Sequence, residues 1–213
     1  MLNNDFTAAI NKILNGKTAD TVFLTYQDRD SNKCTFHAFI KNGNQWRQAF
    51  ECRGYLGRNG VDMHPEYRQE GSMTTPQGIY SIGEKFGICD NPGGLSCSYT
   101  KVDEEDYWDG DCKSPTYNTH VRGCDMPDNW NRGASEHLID YKESYNYAAM
   151  INFNVDPIIP ARGSAIFLHC TRKGSDGSAG CVCIPQENML AALRLMKNDT
   201  YIIIARSIEE YQK

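Results

Sequence analysis

The sequence predicts a mainly β fold, a β-rich sandwich or barrel-like sheet with a few short helices and one long cysteine-rich insertion. Three observations carry that reading. From about Thr21 the apolar residues alternate with polar ones instead of recurring at helical spacing. Asn42-Gly43 lies between two such runs and supplies the positive φ angles of a tight hairpin turn. Helical periodicity is confined to the two ends of the chain.

The elements follow in order. Residues 1–19 read as an N-terminal segment holding one amphipathic helix. Asn4 or Asp5 caps it, Phe6, Ile10, Ile13 and Leu14 share one face, and Gly16 ends it. The first sixteen residues lack the basic start and unbroken apolar stretch of a signal peptide. Residues 20–213 read as one domain with an inserted loop region at about 87–134. Residues 21–26, 34–40 and 45–52 read as strands, and a turn centred on Asn42-Gly43 sets Cys34 and Cys52 nearly opposite each other, as a disulfide or as two buried thiols. The glycines of 54–60 lack the Lys-Ser/Thr of a phosphate loop and open no helix, so nucleotide binding is rejected. Pro76 fixes the entry to a strand that runs to Ile82.

Residues 87–134 hold Cys89, Cys97, Cys112 and Cys124, two tryptophans, and nine acidic against four basic residues. So few aliphatics bury little core, and cross-links are expected to supply the stability. Ordered loops of this length are usually functional. Order resumes at Ser135, residues 147–154 and 164–169 read as strands, and Pro185 opens a helix with Met189, Leu190, Leu193 and Met196 on one face. Residues 201–205 form a last buried strand.

Composition bounds the function. The 213 residues carry a formal charge of −5 without a basic block, which argues against nucleic acid. No apolar run approaches the roughly 18 residues of a membrane span. Nine cysteines are an odd number, so at least one thiol is left over if the others pair. Short closures favour pairs 34–52, 89–97 and 112–124.

Residues 169–185 carry the chemistry. A strand delivers His169 to its end, a loop with Gly174, Gly177 and Gly180 follows, and Cys181 precedes the helix near Pro185. A helix N-terminus lowers the pKa of a nearby thiol and offers amides to an oxyanion, and a histidine facing the thiol serves as its base. Cys181 is expected to face outward as the nucleophile and Cys183 inward as packing. Zinc on His169, Cys170, Cys181 and Cys183 is disfavoured, because only one residue separates Cys181 from Cys183. No metal and no cofactor is expected.

This segment resembles the signature of the L,D-transpeptidase catalytic domain family: a strand ending in His169, a glycine-containing loop, then Ser178, Gly180 and Cys181. Residues 57–60, 70–71 with 75–80, and 163–169 are similar to segments of bacterial members in the same order. The resemblance implies a β-rich L,D-transpeptidase fold around a cleft that processes peptidoglycan stem peptides. Cys181 would attack the L,D bond before the terminal D-Ala of a tetrapeptide stem and form a thioester. An amine would resolve it as a 3→3 cross-link, or water as an L,D-carboxypeptidase product. His169 is the implied base, and the amides of Gly180 and Cys181 the implied oxyanion donors. Ser178 is implied to shape the loop, and Ser178, Tyr80, His137 and Trp108 are the candidate substrate contacts. Tetrapeptide donor and amine acceptor are the expected partners of a monomeric chain working outside the cytoplasm, in the cell wall.

The sequence departs from the family at three places. Ala179 stands where many members have His, Cys183 where many have Arg, and Cys170 where Gly or Ser is common. His137 either replaces the missing polar group or is a surface residue, and Arg122, Tyr107 and Trp108 either grip substrate or pack the insertion. The competing reading is a non-catalytic cell-wall or partner-binding module with a disulfide-rich insertion as its interface. A papain-like peptidase is disfavoured, since there the cysteine usually precedes the histidine.

Overall fold

The computed structural model describes residues 3–29 and 31–207. Eight strands carry the fold: β1 (Thr21–Gln27), β2 (Lys33–Asn42), β3 (Gln45–Tyr55), β4 (Gly78–Gly87), β5 (Ala148–Ile151), β6 (Phe167–Cys170), β7 (Val182–Ile184) and β8 (Tyr201–Ala205). They pair in the order β5-β6-β7-β3-β2-β1-β8-β4, and β4 pairs back onto β5, so the sheet closes into a barrel. Of the two architectures expected, the barrel is the one formed. Among the described residues two α-helices accompany it, α1 (Asn3–Leu14) and α2 (Gln186–Leu195). Neither is long and apolar enough to cross a membrane.

Three apolar clusters explain the placement of these elements. The barrel interior is filled from the strands by Phe23, Phe36, Leu168, Val182 and Ile204, and from α2 by Met189, Ala192 and Leu193. On one outer face α1 lays Phe6, Ile10 and Leu14 over Val22, Phe39 and Trp46. On the other, Trp108 and Leu138 cover Phe86, Ala148 and Phe167. Strands β5, β6 and β7 are buried at every position, because both of their faces are covered.

Several expectations are corrected. Helix α1 already includes Asn4 and Asp5, so neither caps it. The hairpin turns on Gly43, at φ 60°, and Asn44, not on Asn42 and Gly43. A bulge between Ala38 and Phe39 shifts the register further, so Cys34 faces Gly54 and Cys52 faces Phe36. The two thiols are therefore diagonal neighbours. All nine cysteines are free, and none of the pairs 34–52, 89–97 and 112–124 is formed.

Buried polar groups take the place of cross-links in residues 87–134. The fully buried Asp109 accepts hydrogen bonds from Thr116, Trp130, Ser135 and the amide of Asp111, at 2.8 to 3.2 Å. Asp106 accepts from His120 and Arg122, each at 3.0 Å, and His120 reaches Glu84 of β4 at 2.9 Å. Asn118 ties the insertion to the barrel: its amide donates to the carbonyls of Phe153 and Asn154, while its oxygen accepts from Trp108 and the amide of Ala165.

Candidate active site

The site lies on the outer face of the barrel, between the ends of β6 and β7 and the wall that residues 108–136 build over them. Strands β6 and β7 run parallel with His169 opposite Cys183. Side chains in register on neighbouring strands point to the same face, so His169 and Cys183 face out together while Leu168 and Val182 turn inward. Cys181, two residues before Cys183, shares that face. The expectation that Cys181 faces out and Cys183 in is corrected for this reason: positions i and i+2 of an extended chain point the same way. Both thiols and His169 line one cavity of about 350 Å³.

His169 lies inside β6 rather than at its end. Its Nδ1–H donates to the Cys170 carbonyl at 2.9 Å, which leaves the Nε2 lone pair free to accept. Nε2 lies 3.4 Å from Cys183 Sγ. Tyr145 packs edge-on against the imidazole, with ring centroids 5.2 Å apart. Burial pushes the His169 pKa down to about 4, so the ring is neutral at pH 7 and able to take a proton.

Cys181 sits in a different hydrogen-bonding environment. Its S–H donates to the Ala165 carbonyl at 3.2 Å, and its sulfur accepts the Phe167 amide at 3.3 Å. Burial pushes its pKa up to about 12, and the nearby charge of Glu136 adds to the rise. The expected lowering by a helix N-terminus does not occur. Strand β7 and Pro185 separate Cys181 from α2, and α2 packs into the barrel interior.

The loop before Cys181 is held by Ser178. Its hydroxyl donates to the Cys181 carbonyl at 2.7 Å and accepts the Gly180 amide at 3.1 Å. Of the two amides expected to hold an oxyanion, that of Gly180 is thus engaged within the loop. Gly180 has φ +154°, and a Cβ there would come 2.8 Å from Arg68 Nη2. Only glycine permits that approach.

Trp108 lines the cavity, packs edge-on against Phe167 at 4.9 Å and donates to Asn118 at 3.0 Å. Tyr80 does not line it. Its hydroxyl donates to the Gln77 carbonyl at 2.7 Å and its ring packs on Phe153, within the barrel core. His137 is also placed elsewhere, stacked on Tyr107 and bonded to Asp140 and the Glu104 carbonyl, each at 2.8 Å. Successive residues of a strand face opposite ways, so it is the neighbouring Glu136 that enters the cavity. Arg122 pairs with Asp103 and Asp106, and Tyr107 packs against Trp130 and Arg132, so both pack the insertion.

Arg68, Glu136 and Tyr145 line the cavity and escaped sequence reasoning. Arg68 is buried, donates to the carbonyls of Thr74 and Arg162, and lies over the Phe153 ring. None of the three lies in a motif, and no common sequence signal marks them: Arg68 follows a short 3-10 turn, Glu136 lies in a two-residue strand and Tyr145 in another 3-10 turn.

Comparison with known proteins adds the chain's relatives. No curated protein matches it. Among solved structures it is similar to one described as Bdellovibrio bacteriovorus Bd1075, at 19% identity, TM-score 0.44, 91% of this chain and 52% of that one. It is also similar to the Ldtfm–avibactam carbamoyl enzyme, at 12% identity, TM-score 0.40, 88% of this chain and 49% of that one. The chain thus spans about half the length of each. The family described as YkuD, L,D-transpeptidase catalytic domain, matches residues 36–204, a stretch that runs from β2 to β8 and includes the whole cavity. The chain belongs to the L,D-transpeptidase catalytic domain family.

Proposed function

We propose that the chain modifies peptidoglycan by cysteine acyl transfer at Cys181. The supporting observation is the shared cavity: Cys181, on a loop set by Ser178 and Gly180, opens into the same space as a neutral histidine with a free lone pair. In the resting site the Cys181 thiol donates to Ala165. Hydrogen bonds of catalytic pairs are often long before substrate binds and tighten in the complex. Substrate entering the cavity displaces the thiol from Ala165 toward His169 Nε2. The sulfur then attacks the carbonyl carbon of the L,D bond before the terminal D-Ala of a tetrapeptide stem. The C–N bond breaks, D-Ala leaves, and a thioester remains on Cys181. A side-chain amine of a second stem resolves it as a 3→3 cross-link, and water resolves it as a tripeptide. With such a substrate the protein works outside the cytoplasm, in the cell wall. A carbapenem is expected to acylate the same thiol.

Incubation with tetrapeptide-stem muropeptides, with products resolved by mass, tests the proposal. Loss of D-Ala that disappears in Cys181→Ala supports it. A cross-linked dimer marks transfer and a free tripeptide marks hydrolysis. Unchanged muropeptides, or D-Ala loss that persists in Cys181→Ala, would overturn it.

A further inference from the structure

Besides the two thiols and His169, the cavity holds the carboxyl of Glu136, a residue outside the segments that resemble the family. Glu136 enters from a two-residue strand (Glu136–His137), where it lies opposite Trp108, and lines the same cavity as Cys181. Its Oε2 accepts the Tyr145 hydroxyl at 2.5 Å. Among the described residues no cation pairs with it. The groups that act on it most are Tyr145, Tyr141, Cys181 and, farther off, Glu70. Arg58, Arg68 and Arg172 line the same cavity, but none forms an ion pair with Glu136, and Arg68 is turned to the carbonyls of Thr74 and Arg162. Burial pushes its pKa up to about 7, where one group both gives and takes a proton near neutral pH.

Acyl transfer to and from nitrogen needs such a group. An amine leaves an amide readily only if it collects a proton, and an acceptor amine must shed one. His169 is engaged at both nitrogens, with Nδ1 on the Cys170 carbonyl and Nε2 beside the Cys183 thiol. Ala179 stands where many members of the family carry histidine, and no side chain of residue 179 can supply the proton.

We propose that Glu136, oriented by Tyr145, is the catalytic acid–base group of the amine half of the reaction. The inference rests on the proposed acyl transfer at Cys181. In acylation the Cys181 proton passes to His169 as the C–S bond forms. The tetrahedral centre then collapses, the C–N bond breaks with its electron pair on nitrogen, and the Glu136 O–H proton goes to that nitrogen. D-Ala leaves as an amine and Glu136 is left as a carboxylate. In the second half the acceptor amine bonds to the thioester carbon and gives its proton to Glu136. The C–S bond breaks, and the sulfur takes the proton held on His169. Every group returns to its starting state.

Two donors of the same stem separate this role from a structural one: the natural D-Ala amide, and an analogue in which D-thiolactate replaces D-Ala through a thioester. A thiolate leaves without a proton. In Glu136→Gln, acylation of Cys181 by the amide donor should fall by about 10² or more, the usual worth of a general acid, while acylation by the thioester falls by less than about threefold. Retained acylation of Cys181 by the thioester also shows that the variant is folded. Should the Glu136→Gln variant not fold, Glu136→Asp is measured with the same donors and should show the same selective loss. Equal losses with both donors, or no loss with the amide, overturn the assignment of Glu136 while Cys181 remains acylated. If the wild-type chain gives no Cys181 adduct with either donor, the proposed function itself fails and the inference with it.

Discussion

Two thiols share one cavity in this protein and differ in almost every other respect. Cys183 lies beside the imidazole of His169, at 3.4 Å from Nε2. Cys181, two residues earlier on the same face, rests on the Ala165 carbonyl and the Phe167 amide, with Glu136 and Arg68 as its charged neighbours. Proximity to the base favours Cys183 as nucleophile. Loop geometry favours Cys181: it follows Gly180 directly, and its backbone is held by Ser178. Cys183 is instead the middle residue of a three-residue strand that is buried throughout. The difference teaches that a short resting contact between thiol and imidazole does not by itself identify a nucleophile. The attacking sulfur also needs backbone amides and open space around the carbonyl it attacks.

The sharpest way to break this comparison is to delete each thiol. Cys181→Ala should reduce D-Ala release from a tetrapeptide stem to background, whereas Cys183→Ala should lower it by less than about tenfold, since it removes only a neighbour of the base. The reverse order would exchange the two roles. His169→Ala should lower release by about 10² or more, as loss of a general base does, measured as kcat/KM on the same stem.

A smaller effect compares the thiols without substrate. With its pKa pushed up to about 12, Cys181 is protonated at rest. Its alkylation by iodoacetamide should climb about tenfold per pH unit from pH 7 to 10, since only the thiolate reacts. A plateau by pH 8 would show that a thiolate already exists in the resting site. The smallest effect is electrostatic. Above pH 8, where Glu136 is ionised, Glu136→Gln removes a negative charge that raises the Cys181 pKa, so alkylation of Cys181 at fixed pH should rise. Cys183, which has no comparable influence from Glu136, should be unchanged.

Much of this arrangement was legible in the sequence, because it depends on local order. Alternation from Thr21, the two helical ends and the run from His169 to Cys181 each reflect neighbours along the chain. The family's order of segments added that they enclose one cleft. What was not legible depends on chain reversal at a distance. The cavity wall arrives from residues 108–136, where Trp108 was expected but the inward residue of Glu136-His137 was not. Strand parity alone could not choose between them without knowing which face of that two-residue strand meets the barrel. Arg68 reaches Gly180 from a loop more than a hundred residues earlier, and no motif surrounds it. The orientation of Cys183 was legible: two residues apart on a strand means one face. The expected pairing of Cys34 with Cys52 failed for a related reason: the turn falls one residue later and a bulge in the β2–β3 hairpin adds another step, which together set Cys34 opposite Gly54.

The central claim is that acyl transfer runs through Cys181 although His169 rests on Cys183. Its most direct test is to trap the chain with a tetrapeptide-stem donor, digest it, and map the thioester by peptide mass. The account predicts an acyl group of the stem minus D-Ala on Cys181, in wild type and in Cys183→Ala alike. The same mass on Cys183, or on neither thiol while D-Ala is released, would contradict it.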